Sequence, residues 1–162
     1  MDEQEFTAWA VGVERRLLRS AYLLTGDLHR AEDLVQEALV KVAMRWDRLR
    51  EGNPTAYART ILVRDNISWW RRRRELPVEE VAAAAAVSTD PDAAMVVRRA
   101  LLRLTAAQRA VVVLRHLDDL SVEETAAILR VAPGTVKSQN AAALARLRDG
   151  APELLDLIGR VR

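Results

Sequence analysis

The chain has 162 residues, half of them apolar, but only four Trp, two Tyr and one Phe, so its core is expected to consist mostly of Leu, Val and Ala. It contains no cysteine, which excludes disulfides and thiolate metal sites. Charged residues make up 30%, yet the net charge is only +2, so the clustering of the charges is more informative than their sum. Without a long apolar run or a signal-peptide pattern, the sequence predicts a cytoplasmic protein with no membrane insertion.

The first part of the chain predicts three helices. The first helix has apolar residues at helical spacing: Phe6, Trp9, Val13, Leu17, Ala21 and Leu24. Gly26 is expected to end it, and Asp27 to cap a second helix whose apolar side continues to Leu49. Asn53 and Pro54 have the order of a cap and a first helical residue, which predicts a third helix. This helix runs past two tryptophans into four consecutive arginines, residues 71–74.

A change of composition separates this part from the rest. Residues 76–92 are acidic and alanine-rich and lack a sustained stripe of large apolar residues, so we interpret them as a linker. Helices are then expected at 94–104 and 106–117, with Thr105 capping the second of them. The sequence therefore predicts an all-α protein with two small helical domains, 1–75 and 93–150, and a tail, 151–162. The tail either packs on the protein or binds a partner.

Residues 121–148 have the spacing of a helix-turn-helix. Ser121 with Glu124 three residues later is a capping box for the first helix. Ala126 is small where the two helices approach each other, and Arg130 falls where the turn requires a left-handed backbone. The residues expected to pack between the helices are Leu129, Val131 and Val136.

The second helix of this motif begins with polar side chains that suit DNA. Its candidate DNA-contacting residues are Thr135, Lys137, Ser138, Gln139 and Asn140. Lys137 suits a phosphate or a guanine, whereas Gln139 and Asn140 suit adenine. Asn140 also falls on the apolar stripe of the helix, so it is either a buried amide or a base-reading side chain. The motif alone also fits a helical hairpin in an ordinary bundle.

Two other charged surfaces admit both a functional and a structural interpretation. Asp33, Gln36 and Glu37 share one face of the second helix, which on its own is more typical of a solvated surface than of an interface. Arg71, Arg72, Arg73 and Arg74 follow Trp69 and Trp70. They form either a nucleic-acid surface or a solvated helix end. His29 and His116 lack metal-ligand spacing, and no nucleophile motif or phosphate-binding loop is present, so we expect no metal, no cofactor and no catalysis.

Four segments together resemble one family. They are "AYLLTGDLHRAEDLVQEALVKV" (21–42), "NPTAYARTILVRDNISWWRRRR" (53–74), "LRLTAAQRAVVVLRHLDDLSVEETAAIL" (102–129) and "GTVKSQ" (134–139). Their order and content are similar to those of extracytoplasmic-function (ECF) sigma factors of bacterial RNA polymerase, and most of all to actinobacterial members. The resemblance implies a protein that lends promoter specificity to the polymerase and is not itself an enzyme.

The resemblance also implies partners for each surface. Asp33, Gln36 and Glu37 match the motif that binds the β′ clamp helices of core RNA polymerase. The second domain would read the −35 promoter element through its helix-turn-helix and contact the β flap. Many members of the family are held inactive by an anti-sigma factor, so the resemblance admits such a partner too.

The third helix resembles the segment that melts the −10 element and captures unpaired bases. The residues assigned to this contact are Asn53, Arg64, Asn66, Trp69, Trp70, Arg71, Arg72, Arg73 and Arg74. Aromatic and cationic groups suit the task, because unpaired bases stack and their phosphates require neutralisation. Arg64 departs from the family pattern, since many relatives have asparagine there. The two rival hypotheses are a free-standing helix-turn-helix regulator, which would leave residues 1–74 unexplained, and a helical adaptor that binds only protein.

Overall fold

The computed structural model describes residues 2–74 and 91–160, and these residues contain helices and no strands. The first domain consists of α1 (Glu3–Thr25), α2 (Leu28–Ala43), α3 (Trp46–Leu49) and α4 (Pro54–Arg74). The second consists of α5 (Pro91–Leu102), α6 (Ala106–Val112), α7 (Val122–Leu129), α8 (Pro133–Gly150) and α9 (Pro152–Arg160). The all-α prediction is confirmed. The linker predicted at 76–92 lies almost wholly outside the described residues.

Local capping signals place most of the helix boundaries. Gly26 ends α1 in the left-handed conformation with φ of 71°, and the Asp27 carboxylate accepts a hydrogen bond from the Arg30 amide at the start of α2. Asn53 Oδ1 accepts one from the Ala56 amide, 2.9 Å away, just before Pro54 begins α4. These interactions satisfy backbone groups that a helix end would otherwise leave without partners. The predicted caps are confirmed.

Tertiary packing divides the second predicted helix. We expected α2 to continue to Leu49, but it ends at Ala43 and the short helix α3 follows. The break lets Trp46 become buried against Phe6 and Trp9, with ring centroids 5.3 Å apart in both pairs. Aromatic contacts of this kind outweigh the small cost of interrupting a helix, so the prediction of one continuous helix is wrong.

The helix after Thr105 also departs from regular geometry. It begins with the capping box of Thr105 and Gln108, but it changes to a π-helical turn over Val113–Leu117. The Asp118 amide there donates to the Val113 carbonyl, 2.9 Å away. π-turns often occur at functional or contact positions. This one ends at Asp118, whose carboxylate accepts a hydrogen bond from Ser20 of the first domain.

Each domain has its own core, and a third apolar cluster joins the two domains. Leu24 and Val63 of the first domain pack with Val113, Leu114 and Ile128 of the second. In the tail, Leu154 is buried with the core of the second domain, so the structure supports the packing alternative for this part of residues 151–162. No helix among the described residues combines the length and apolar character needed to cross a bilayer.

Candidate functional site

The polar face of α2 is exposed as predicted. Asp33, Gln36 and Glu37 are all exposed, while Leu34 and Ala38 on the other side of the helix are buried in the core. Among the described residues, neither carboxylate of this face forms an ion pair. The face therefore presents two uncompensated negative charges and an amide to any partner.

Two apolar side chains extend this face, and sequence analysis missed them. Val40 is 57% exposed and Met44 is 80% exposed. They follow Asp33 by seven and eleven residues, which places them on the same side of the helix within about 20° of arc. The signal was available in the sequence, since both residues lie outside the apolar stripe. A face that is acidic at one end and apolar at the other is suited to a protein partner more than to nucleic acid.

Cations and aromatic rings meet at the end of α4. The guanidinium groups of Arg30 and Arg73 both lie over the Trp69 ring, 5.3 and 4.6 Å from its centroid. Arg71 and Arg72 are exposed, and the Arg74 side chain lies outside the described residues. Arg30 was not predicted to belong here, because only tertiary packing brings it to Trp69. An unpaired base could stack on Trp69 only where one of these guanidinium groups moves off the ring, whereas the exposed charges of Arg71 and Arg72 can meet phosphate directly.

Two other residues assigned to the −10 contact, Asn66 and Trp70, are engaged by groups of the protein itself. Asn66 is fully buried, and its Nδ2 donates to the Leu24 carbonyl, 3.4 Å away. Trp70 lies beneath the guanidinium of Arg109, whose Cζ is 4.9 Å from the ring centroid. Asn66 Oδ1 and Trp70 Nε1 are buried without a hydrogen-bond partner in the described part of the chain. Their contact with DNA therefore stays a prediction. In this conformation Asn66 is not accessible to DNA, and Trp70 is half-buried with Arg109 over its ring.

Arg64 points into the second domain. Its Nε donates to the Ile128 carbonyl, 2.9 Å away, and its Nη2 to the Ala127 carbonyl, 3.4 Å away. Burial lowers the pKa of Arg64, and the neighbouring charge of Arg130 lowers it further. Arg64 therefore occupies the carboxyl-terminal end of α7, where carbonyl groups without helical partners favour a cation.

The helix-turn-helix has the predicted geometry. α7 begins with the capping box of Ser121 and Glu124, and hydrogen bonds from the backbone and side chain of Ser121 lower the pKa of the Glu124 carboxylate. Arg130 adopts the left-handed conformation with φ of 55°, as expected for the turn. Val136 is buried and Leu129 half-buried. Val131 is 39% exposed, so its predicted packing between the helices is wrong. It directly follows the left-handed residue, which turns its side chain outward.

The start of α8 presents its polar side chains outward. Thr135, Lys137 and Ser138 are exposed, and Gln139 is half-buried. Asn140 is also half-buried, and its Oδ1 lies 2.9 Å from Nε2 of His116. This hydrogen bond favours a packing role for Asn140 over a base-reading role. The other polar residues at the start of α8 provide one cation, Lys137, and several hydrogen-bonding groups on a helix end that can enter a DNA groove.

Comparison with known families settles which kind of protein carries these surfaces. The Sigma-70 region 2 family matches residues 11–75, and the Sigma-70 region 4 family matches residues 94–147. The chain is 41% identical over 150 residues to an RNA polymerase sigma-E factor of Streptomyces avermitilis, spanning 90% of this chain and 84% of that protein. The chain is an ECF sigma factor of the sigma-70 family. As a sigma factor it directs RNA polymerase to promoters, and it is not a free-standing regulator.

Other proteins similar to this sigma factor belong to the same family or share its fold. It is 38% identical over 150 residues to an RNA polymerase sigma-E factor of Streptomyces coelicolor, spanning 90% of this chain and 85% of that protein. Among solved structures it is similar to the sigma factor RpoE of Bartonella quintana in complex with the anti-sigma factor NepR. That match has a TM-score of 0.73 at 32% identity and covers 90% of this chain and 96% of that chain. The PhyRSL–NepR complex of a Sphingomonas species shares the fold at 18% identity, with a TM-score of 0.63.

Proposed function

We propose that this sigma factor docks on core RNA polymerase through the polar face of α2, opens the −10 element with α4 and reads the −35 element with α8. It contributes specificity and no chemistry of its own, and it acts in the cytoplasm, where the polymerase is. The observation that carries the proposal is the exposed face of Asp33, Gln36 and Glu37, backed by buried core residues on the same helix. A helix fixed by its core presents such a face in one orientation, as a specific interface requires.

Each domain has a surface suited to one part of the task. The face of α2, including Val40 and Met44, suits the clamp helices of the β′ subunit, and the second domain would contact the β flap. The ring of Trp69 with its flanking arginines suits unpaired bases. The start of α8, from Thr135 to Asn140, suits the major groove of the −35 element. RpoE of Bartonella quintana binds an anti-sigma factor, which supports proposing a partner of that kind here.

The decisive experiment is transcription in vitro with the protein's own core polymerase and a library of genomic fragments. We expect transcripts that start at a small set of promoters sharing two elements, and none of these transcripts when the protein is left out. The proposal would be wrong if the protein footprinted DNA without the polymerase and its addition did not change the start sites that the polymerase uses. A helical adaptor would bind the polymerase without changing its start sites.

Lys137 and Gln139 should make different contributions to −35 binding. Lys137→Ala should weaken binding about equally for all sequences and reduce the salt slope by roughly one ion, because a lysine charge mainly contacts phosphate. Gln139→Ala should weaken binding to the preferred site by about 1–3 kcal/mol. It should weaken binding less at sites that differ from the preferred one at a single base pair, the pair that Gln139 contacts. The measurement is holoenzyme binding to a randomised upstream element at two salt concentrations.

Asn140 provides the control in that experiment. Because its amide bonds to His116, Asn140→Leu should leave the preferred sequence unchanged. A shifted preference would show that this residue reads DNA. If Gln139→Ala changes neither the preferred sequence nor the difference in affinity between that sequence and the others, α8 is not the helix that reads the −35 element.

The cationic end of α4 should act in strand opening. Replacing Trp69, Arg71 and Arg72 by alanine should reduce promoter melting more than closed-complex formation, because stacking and local phosphate contacts capture single strands. Permanganate reactivity of promoter thymines, compared at equal occupancy, measures this effect. Arg15 and Arg48 are exposed arginines in the same domain, so their double alanine variant is the charge-matched control. Equal permanganate reactivity in variant and parent would show that these residues do not act in strand opening. A large loss of promoter occupancy would indicate that they contact duplex DNA instead.

A further inference from the structure

Two arginines cover the Trp69 ring, and they are held there with different firmness. Arg73 lies four residues further along α4, so the helix itself places its guanidinium beside the ring, 4.6 Å from the centroid. Arg30 comes from the first turn of α2 and lies 5.3 Å from the centroid. Its Nε is buried and has no hydrogen-bond partner in the described part of the chain. Because a cation–π contact weakens with distance, Arg30 is the less firmly held of the two.

The charge of Arg30 is poorly compensated in the free protein. A cation in the first turn of a helix meets the positive end of the helix dipole. Arg30 also shares one ring with Arg73, and the neighbouring Arg71 and Arg72 add two exposed positive charges on α4. Asp27 caps α2 through the backbone amide of Arg30, but no carboxylate among the described residues forms an ion pair with the Arg30 guanidinium. An anion brought to this ring would therefore reduce the repulsion between the arginines.

An unpaired base and Arg30 would compete for the same ring. Displacing Arg30 sacrifices the longer of the two cation–π contacts, and stacking of a base on an aromatic ring is at least as strong as such a contact. The displaced guanidinium stays tethered to the start of α2, beside the nucleotide that has taken its place. A guanidinium in that position can donate two hydrogen bonds to a phosphate, which is its preferred geometry with an oxyanion.

We propose that Arg30 binds a phosphate of the −10 single strand: it covers Trp69 in the free protein and leaves the ring for the backbone phosphate of the base that stacks there. Arg30 can do so only if Trp69 receives that base, so this role rests on the proposed function. The exchange gives the buried Nε a route to a hydrogen-bond partner and brings an anion among the arginines. It also extends the −10 surface from α4 to the start of α2.

Binding of the holoenzyme to partly unpaired promoter DNA tests this exchange. The DNA comes from a promoter that the protein transcribes, with the non-template strand left unpaired across the −10 element, and affinity is measured over a roughly tenfold range of salt concentration. Arg30→Gln removes the charge and keeps a polar side chain. One phosphate contact to a single strand contributes about 0.7 to the salt slope, so the parent should lose about five-fold more affinity than this variant over that range.

The two ends of the salt range report on the two parts of the exchange. At low salt, Arg30→Gln should bind the unpaired DNA several-fold more weakly than the parent, because the phosphate contact is lost. At high salt, where that contact is screened, the variant should bind as tightly as the parent or more tightly, since the base no longer has to displace a guanidinium. A salt slope equal to that of the parent would overturn the phosphate contact. A variant that is still several-fold weaker at high salt would overturn the covering role.

Further variants separate the charge of Arg30 from its packing. Arg30→Lys restores the positive charge without the planar guanidinium, so it should restore the salt slope of the parent. A slope that stays at the value of Arg30→Gln would show that the charge does not contact DNA. Arg15→Gln, at an exposed arginine of α1, is the matched control and should not change the slope. Each affinity is divided by that for the same promoter as a closed duplex, so that a loss of folded protein cancels.

Trp69→Ala distinguishes a failure of this exchange from a failure of the proposed function. If Trp69→Ala leaves the binding of unpaired DNA unchanged, no base stacks on this ring, and the −10 role proposed for the end of α4 is wrong. If Trp69→Ala weakens that binding while Arg30→Gln leaves the salt slope unchanged, base capture by α4 stands and only the role of Arg30 is overturned.

Discussion

Reversing the charges of Asp33 and Glu37 to lysine should remove most of the affinity for core RNA polymerase. Both carboxylates are exposed and without ion pairs among the described residues, so their charge is available to a basic partner. Losing charge-assisted pairs at an interface costs about 2–5 kcal/mol, or roughly 30-fold or more in Kd. The melting temperature should hardly change, because the face contributes nothing to the core.

Competition with a labelled sigma factor for limiting core enzyme measures this loss. The matched control is the double variant Glu14→Lys and Glu51→Lys, which makes the same change of net charge at exposed positions of the first domain outside α2. If Asp33→Lys with Glu37→Lys competes as well as the parent, the polymerase contact lies elsewhere. Met44→Ser should give a smaller loss, since it removes an exposed apolar group but no charge.

Arg109→Ala should produce the largest loss of stability of any single variant considered. The side chain is 2% exposed, and its guanidinium donates to the carbonyls of Leu101, Leu104 and Leu24, at 2.9, 3.1 and 2.8 Å. Burial lowers its pKa to about 10, so it is still charged at neutral pH. Truncation removes three hydrogen bonds from a buried charged donor, at roughly 1.5–3 kcal/mol each, and leaves the Leu24 and Leu101 carbonyls only their bonds from Asn66 Nδ2 and the Leu104 amide. The total should be at least about 3 kcal/mol, which lowers the melting temperature by roughly 6–12 °C.

Thermal unfolding followed by circular dichroism measures that effect. Arg103→Ala is the matched control, because Arg103 is exposed and makes one long hydrogen bond of 3.4 Å to the Gly150 carbonyl. It should shift the midpoint by no more than about 2 °C. Arg109→Lys should recover only part of the loss, since an ammonium cannot span three carbonyls as a planar fork does. A melting temperature for Arg109→Ala equal to that of the control would contradict the structural role assigned to it.

Much of the site could be predicted because its signals are local. The exposed face of α2 follows from the spacing of three polar residues, and the turn of the helix-turn-helix follows from its capping box and the left-handed Arg130. The distribution of the −10 residues could not be predicted. Asn66 is buried and donates to the Leu24 carbonyl of α1, whereas Arg109 lies over the Trp70 ring and Arg64 bonds to α7. In each case the partner is distant in the sequence, and for Trp70 and Arg64 it comes from the other domain.

The sequence by itself determined the helical class, most helix boundaries, the two domains and the family. These depend on interactions between residues a few positions apart, such as caps and apolar stripes, so they can be recognised in a short segment of the sequence. Only the tertiary structure decided the break before Trp46, the stacking of Arg30 on Trp69 and the hydrogen bonds of Arg64 to the second domain. These contacts join residues far apart in the chain, 64 positions for Arg64 and Ile128 and 85 for Arg109 and Leu24. Which distant groups meet depends on how complete helices pack against one another, and no local pattern encodes that.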